Sequence, residues 1–270
     1  MTLKTLTHPT ELNLDTFDWS HPVIDSHAHL WLGNEEAGRR ANLEAAELYD
    51  VRYIYLSTLG GGYYPDKDII AACNRATADF IRDYPDLIVG QCYVNPNNTD
   101  TLDVLRRGFE EQGMRAVKLW TATFADDPAV NPVAEYCIDR NVPVMVHCFH
   151  KAIGQLEHES RGHHVANLAR HYPELKIQMA HLGACPYDAI PPIADLPNVW
   201  LDTSGSMLRG DDLPYTLTLV SHERVLMGTD MPGSGYLTNI GKVLEATADP
   251  AARRAMLHDN AYKLYFPKAN

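Results

Sequence analysis

The chain has 270 residues and carries 35 Asp plus Glu against 23 Lys plus Arg, a formal net charge of −12. Such an acidic balance disfavours polyanionic partners, so neither nucleic acid nor an anionic membrane is expected. No run of about 18 apolar residues offers a membrane span, the N-terminal stretch has no apolar signal-peptide core, and five cysteines without a CxxC pair fit a reduced, cytoplasmic protein.

In chain order, residues 1–21 form an N-terminal extension, and the whole of 1–270 reads as one domain. Short apolar runs follow at Pro22–His27, Val51–Ser57, Leu87–Val94, Ala116–Trp120, Val142–His147, Leu175–His181, Val199–Asp202 and Val225–Gly228. Each is apolar at consecutive positions, as expected for parallel strands buried on both faces. Amphipathic stretches lie between them. Asp66 opens one that runs through Ile69, Ile70, Cys73, Ala76 and Phe80, and Asn98–Asp100 opens one that stops at Gly113. Stripes at Val133, Cys137 and Ile138, and at Val165, Leu168 and Ala169, end before prolines. The tail starts a helix at Asp249-Pro250, and Asn260 caps a last turn, Ala261–Phe266, which is expected to pack outside the sheet. Eight strand–helix units in series predict a (β/α)8 TIM barrel with extra C-terminal helices, an open doubly wound sheet being the alternative.

Thirteen histidines are the compositional anomaly. Asp25, His27 and His29 alternate along the end of the first strand, so all three project to one face. His147, His181 and Asp230 end or follow the fifth, sixth and eighth strands. In a parallel barrel these ends meet on one rim, where active sites sit. Buried imidazoles and carboxylates without partners cost several kcal/mol, so packing alone does not explain the set. Imidazole suits zinc, manganese, iron or nickel. Lys118 lies inside the fourth strand, where an unpaired ammonium is costly, so from the residues alone it is expected to reach water or pair with a carboxylate.

With Asp25-Ser26-His27-Ala28-His29, His147, Ala180-His181-Leu182-Gly183, Gly228-Thr229-Asp230 and the closing Asn260-Ala261-Tyr262-Lys263-Leu264-Tyr265, the chain resembles the amidohydrolase superfamily. The nearest branch is the amidohydrolase-2 group of metal-dependent hydrolases and non-oxidative decarboxylases, and the resemblance runs from about residue 22 to 266. It implies one or two divalent metals, zinc first, with manganese, iron or nickel as alternatives. His27, His29 and Asp230 would bind the first, and His147 and His181 would complete it or bind a second. His181 could instead touch water or substrate, and Lys118 could be a carboxylated, bridging ligand. Asp230 and His181 would be the catalytic groups. The implied reaction is hydrolysis of a small amide, ester or lactone, with non-oxidative decarboxylation of an aromatic or unsaturated acid as the alternative.

The loops after the strands supply candidates for holding a small-molecule substrate: Trp31, Trp120, His150, Glu159 and Arg161. His163 and His164 open a helix, and His8, His21, His171, His222 and His258 read as structural. Further copies of the chain are compatible partners. No GxSxG elbow, P-loop or GxGxxG is present to favour another chemistry.

Overall fold

The computed structural model describes residues 22–266, so the N-terminal extension, with His8 and His21, lies outside the described residues. Eight strands, β1 (Val23–Trp31), β2 (Val51–Leu59), β3 (Ile88–Val94), β4 (Ala116–Leu119), β5 (Val144–Val146), β6 (Ile177–Met179), β7 (Val199–Asp202) and β8 (Val225–Leu226), pair in parallel in sequence order. Between them run α1 (Glu35–Leu48), α2 (Lys67–Asp83), α3 (Thr101–Glu110), α4 (Asn131–Arg140), α5 (Gly162–His171), α6 (Pro186–Ala189) and α7 (Asp212–Leu219). The C-terminal part is α8 (Tyr236–Ala246), α9 (Pro250–Arg254) and α10 (Asn260–Tyr265). This is the (β/α)8 barrel that the sequence predicts, and the open-sheet alternative falls.

The ring all but closes between β1 and the segment after β8. Ser26 N donates to Met227 O at 2.9 Å, and His29 N to Met231 O at 2.8 Å. His27 O accepts from both Thr229 N (3.2 Å) and Asp230 N (2.7 Å). The larger apolar cluster joins the strands to the helices; Ile54, Cys73, Phe80, Val117, Val133 and Leu168 are all buried in it. At about 25 cal/mol per Å² of apolar area removed from water, this cluster is the main source of stability. Helix starts follow the expected capping chemistry. Asp66 accepts from Asp68 N and Ile69 N, and Asp249 accepts from Ala251 N.

Three local expectations change. Strands β5 and β6 are three residues each and stop short of His147 and His181. Asn260 caps nothing: a π turn, Ala255–Asp259, joins α9 to α10, and the Asn260 amide donates to His222 O (2.7 Å) and Val225 O (2.8 Å), pinning α10 to the start of β8. Nor does the tail simply pack outside. Ala261, Leu264 and Tyr265 join Ile24, Tyr55, Val89, Ala116 and Leu226 in a second buried cluster, so α10 caps the barrel at the starts of its strands.

Candidate metal centre

The residues that carry the chemistry are set by backbone turns at the strand ends. Gly228 lies where a Cβ would come within 2.9 Å of His27 Cβ, so only glycine lets the strand-8 segment approach β1 this closely. Two residues on, Asp230 has a left-handed backbone (φ 66°), which turns its carboxylate toward the imidazoles. Asp25 holds this turn: it accepts from Thr229 N (2.9 Å), Thr229 Oγ1 (2.6 Å) and His27 N (3.1 Å). Asp25 thereby orients backbone and stays out of the cluster. Burial pushes its carboxyl up to about 6, against the opposing pull of those hydrogen bonds.

The imidazoles of His27 and His29 meet edge to face, with Nε2 to Nε2 only 2.9 Å apart. Their outer nitrogens decide the tautomers. His27 Nδ1 lies 3.1 Å from Asp202 Oδ2, and His29 Nδ1 lies 3.1 Å from Ser57 O. A carboxylate and a carbonyl only accept, so each Nδ1 carries the proton and each Nε2 presents a lone pair. Asp230 Oδ1 adds a third acceptor, 3.4 Å from His29 Nε2 and 3.7 Å from His27 Nε2. None of these three atoms carries a proton, and the one donor beside them among the described residues is Lys118 Nζ, 3.1 Å from His27 Nε2; the donor set suits a divalent metal. Burial, with Lys118 nearby, holds His29 well below the usual imidazole range, which keeps it neutral.

Asp202 was missed by the sequence reasoning. It ends β7 and accepts from His27 Nδ1, from Gln178 Nε2 (2.7 Å), and from the backbone of His181 (2.9 Å) and Ser204 (3.1 Å). Burial alone would raise its carboxyl, but His27, His181 and Ser204 outweigh that and hold it far below the usual carboxylate range. A carboxylate ending a buried strand is the same signal that marked the strand-end histidines. It went unread because the residue lacked a motif around it. Its atoms, with those of His27 and His181, form a second group close enough to share an ion.

His181 lies beyond β6, in a turn where its backbone is left-handed (φ 63°). Its Nδ1 lies 2.9 Å from Ser204 Oγ, and its Nε2 lies 3.2 Å from His147 Nδ1. His147 Nε2 in turn lies 2.9 Å from Glu159 Oε1. Both ring nitrogens of His147 thus face protein partners outside the His27–His29–Asp230 group. Burial lowers both imidazoles and keeps them neutral. Glu159 is itself clamped by Lys151 Nζ (2.7 Å to each oxygen) and Gln155 Nε2 (2.9 Å).

Lys118 is fully buried, so it does not reach water, and no carboxylate lies within ion-pair distance among the described residues. Its Nζ lies 3.1 Å from His27 Nε2 and 3.1 Å from Met145 Sδ. Burial pulls its ammonium down to about 8, partly countered by Asp230 and Asp202.

Of the substrate candidates, Trp31 (39% exposed) and Trp120 meet edge to face beside His29 with ring centroids 5.9 Å apart, and Tyr63 joins them 5.9 Å from Trp120. Glu159 reaches His147. His150 turns instead to Asp188, 3.0 Å away, and Arg161 lines a groove with Phe124, Leu156, His163 and His164. A cavity of about 390 Å³ opens beside His181 and Ser204, bounded by Leu208, Arg209, Leu213 and Lys242.

Comparison with solved structures finds the same fold in a 2,6-dihydroxybenzoate decarboxylase from Rhizobium (14% identity, TM-score 0.72, 91% of this chain and 98% of that one). A dihydroxybenzoic acid decarboxylase from Polaromonas, solved with manganese and 2-nitroresorcinol, gives 17% identity and a TM-score of 0.71 over 91% of this chain and 97% of that one. A 4-oxalomesaconate hydratase from Rhodopseudomonas palustris gives 18% and 0.64 over 90% and 95%. At these identities the likeness is one of fold. No curated protein matches significantly. The sequence model of the amidohydrolase family, however, matches residues 24–266, nearly the whole barrel, and the chain belongs to that family.

Proposed function

We propose that this protein is a metal-dependent enzyme that removes CO2 without oxidation from a small aromatic or unsaturated carboxylic acid. The observation that carries the metal centre is the meeting of His27 Nε2, His29 Nε2 and Asp230 Oδ1 with no proton among them. The choice of acid is supported by the Trp31–Trp120–Tyr63 wall beside His29, which suits a flat ring, and by the aromatic acids named for two proteins of the same fold. The sequence alone put hydrolysis first; these features reverse the order.

A bound divalent metal supplies Lewis-acid polarisation of substrate oxygens and holds them in register. His27, His29 and Asp230 would hold it, with Asp202 and Ser57 fixing the imidazole tautomers. Trp31 and Trp120 orient the ring. Asp230 is 28% exposed while the imidazoles are buried, so it is the ionisable group on the open side. Its other carboxylate oxygen would take up a proton from solvent and deliver it to the ring carbon bearing the carboxylate, leaving Asp230 a carboxylate again. The C–C bond then breaks, its electron pair restores the ring, and CO2 leaves. His181, neutral and lining the adjoining cavity, would exchange its 3.2 Å contact with His147 for a hydrogen bond donated to a substrate oxygen.

Hydrolysis is the second reading. The partial exposure of Asp230 would equally let it take a proton from water. The discriminating experiment is a screen of hydroxybenzoates, lactones and amides with protein loaded with Mn²⁺ or Zn²⁺, following CO2 release and acid release separately. CO2 release from an aromatic acid is expected, and Asp230→Asn should lower it by about 10²–10⁴-fold with unchanged circular dichroism. Acid release alone gives the reaction to hydrolysis, and turnover that survives metal removal overturns both readings.

A further inference from the structure

A row of buried polar side chains runs from the C-terminal helix to the metal centre. Tyr265, on α10, donates its hydroxyl hydrogen to Gln178 Oε1 at 2.6 Å and accepts from Gln91 Nε2 at 3.0 Å. Gln178 Nε2 donates to Asp202 Oδ2 at 2.7 Å, the oxygen that also takes the His27 Nδ1 proton at 3.1 Å. Gln91, Gln178, Asp202 and His27 are wholly inaccessible to solvent, and Tyr265 almost so. Bulk solvent does not reach these bonds.

The direction of each bond is forced. Asp202 only accepts, so Gln178 must turn its amide NH2 toward it. The amide oxygen of Gln178 then points the other way and needs a donor, which the Tyr265 hydroxyl supplies. The hydroxyl oxygen, having given its proton to Gln178, receives one from Gln91. Without the hydroxyl, Gln178 Oε1 would face the apolar cluster of Ile24, Tyr55 and Val89 with no donor from α10, a desolvated acceptor left unpaired. The amide would reorient, and Asp202 Oδ2 would lose one of the two contacts, with Gln178 Nε2 and His27 Nδ1, that hold it.

We infer that Tyr265 is a positioning residue for His27, acting through Gln178 and Asp202, so that the C-terminal helix is part of the metal centre. The assignment rests on reading His27 as a metal ligand. It explains why α10 enters the barrel and why its innermost residue carries a hydroxyl when the surrounding cluster is apolar.

The test compares wild type, Tyr265→Phe, Gln178→Met and Tyr93→Phe. Tyr93 is a matched control, a buried barrel tyrosine whose hydroxyl has no partner among the described residues. Metal-stripped proteins are titrated with Mn²⁺ against a chromogenic chelator, and the visible bands of the Co²⁺-loaded forms are recorded. Melting of the metal-free proteins identifies any variant that has failed to fold. Partners that directly orient ligands are worth 10–100-fold in metal affinity, so Tyr265→Phe, further out, should weaken Mn²⁺ binding by about 3–10-fold and shift the Co²⁺ bands. Gln178→Met should do more, and it decides the matter if Tyr265→Phe does not fold. Wild-type affinity and spectrum in Tyr265→Phe, or an equal loss in Tyr93→Phe, overturns the assignment while leaving the metal centre standing. A wild-type protein that takes up no metal overturns the metal reading and this assignment together.

Discussion

Glu159 stands in the sequence as a substrate-binding candidate, and the fold gives it protein partners. Its place in the loop after β5 marked it as a candidate, but its actual partners, Lys151, Gln155 and His147, could not be read from spacing. Burial pushes its carboxyl up, yet the hydrogen bonds from His147 and Lys151 prevail and hold it below the ordinary carboxylate value. The charged form is therefore favoured by the fold. Its stabilisation is complete above the usual carboxylate range and disappears as pH falls through the lowered native value. Protection of the amides across residues 150–161, taken against their intrinsic rate at each pH, should accordingly be high at neutral pH and fall on acidification. Glu159→Gln should show fast exchange already at neutral pH, by roughly tenfold or more, given about 1.5–3 kcal/mol for a charge-assisted hydrogen bond. Unchanged exchange in that variant would remove the clamp. The HxH pair and Asp230 were legible because alternation along a strand and a strand-end position are local signals. Asp202 and Ser204 were not, since their role depends on which imidazole the fold brings to them.

At the level of elements, the eight strands were legible because burial on both faces leaves a run of apolar residues in the sequence itself. Their ends were not. His181 and Asp230 both sit in left-handed backbone beyond their strands, a conformation that tertiary hydrogen bonds impose and no local pattern announces. The inward course of α10 was equally hidden: an amphipathic turn reads the same whether it covers the outside of a barrel or fills its end. Close approach between elements leaves a clearer mark. At Gly162, the first residue of α5, a Cβ would lie 2.3 Å from Ala189 O and 2.5 Å from Ala189 Cα of α6. Both are backbone atoms and cannot rotate aside. Gly162→Ala should cost about 1–3 kcal/mol in chemical denaturation, as overpacking elsewhere does. A neutral substitution would mean that α5 and α6 separate freely.

For the whole molecule, the apolar clusters are independent of the metal centre, so the barrel should remain folded without a cation. Metal present at about 100 times its Kd adds about 2.7 kcal/mol to the native state. With about 2–4 °C per kcal/mol for chains near this size, chelation should lower the melting temperature by roughly 5–10 °C. Far-UV circular dichroism at 25 °C should not change. An unaltered melting temperature would show that the native state holds no metal to lose.

The seam between β1 and the segment after β8 has a temporal consequence. His27 and Asp230, joined there through backbone hydrogen bonds, are separated by about 200 residues of chain. At roughly 5–20 residues per second, a ribosome would need about 10–40 s to make the second after the first. Throughout that interval the nascent chain displays two adjacent imidazoles without the carboxylate that completes their group. A firmly held cation can therefore be acquired only after the ring has shut, and its retention reports that synthesis and closure are both complete.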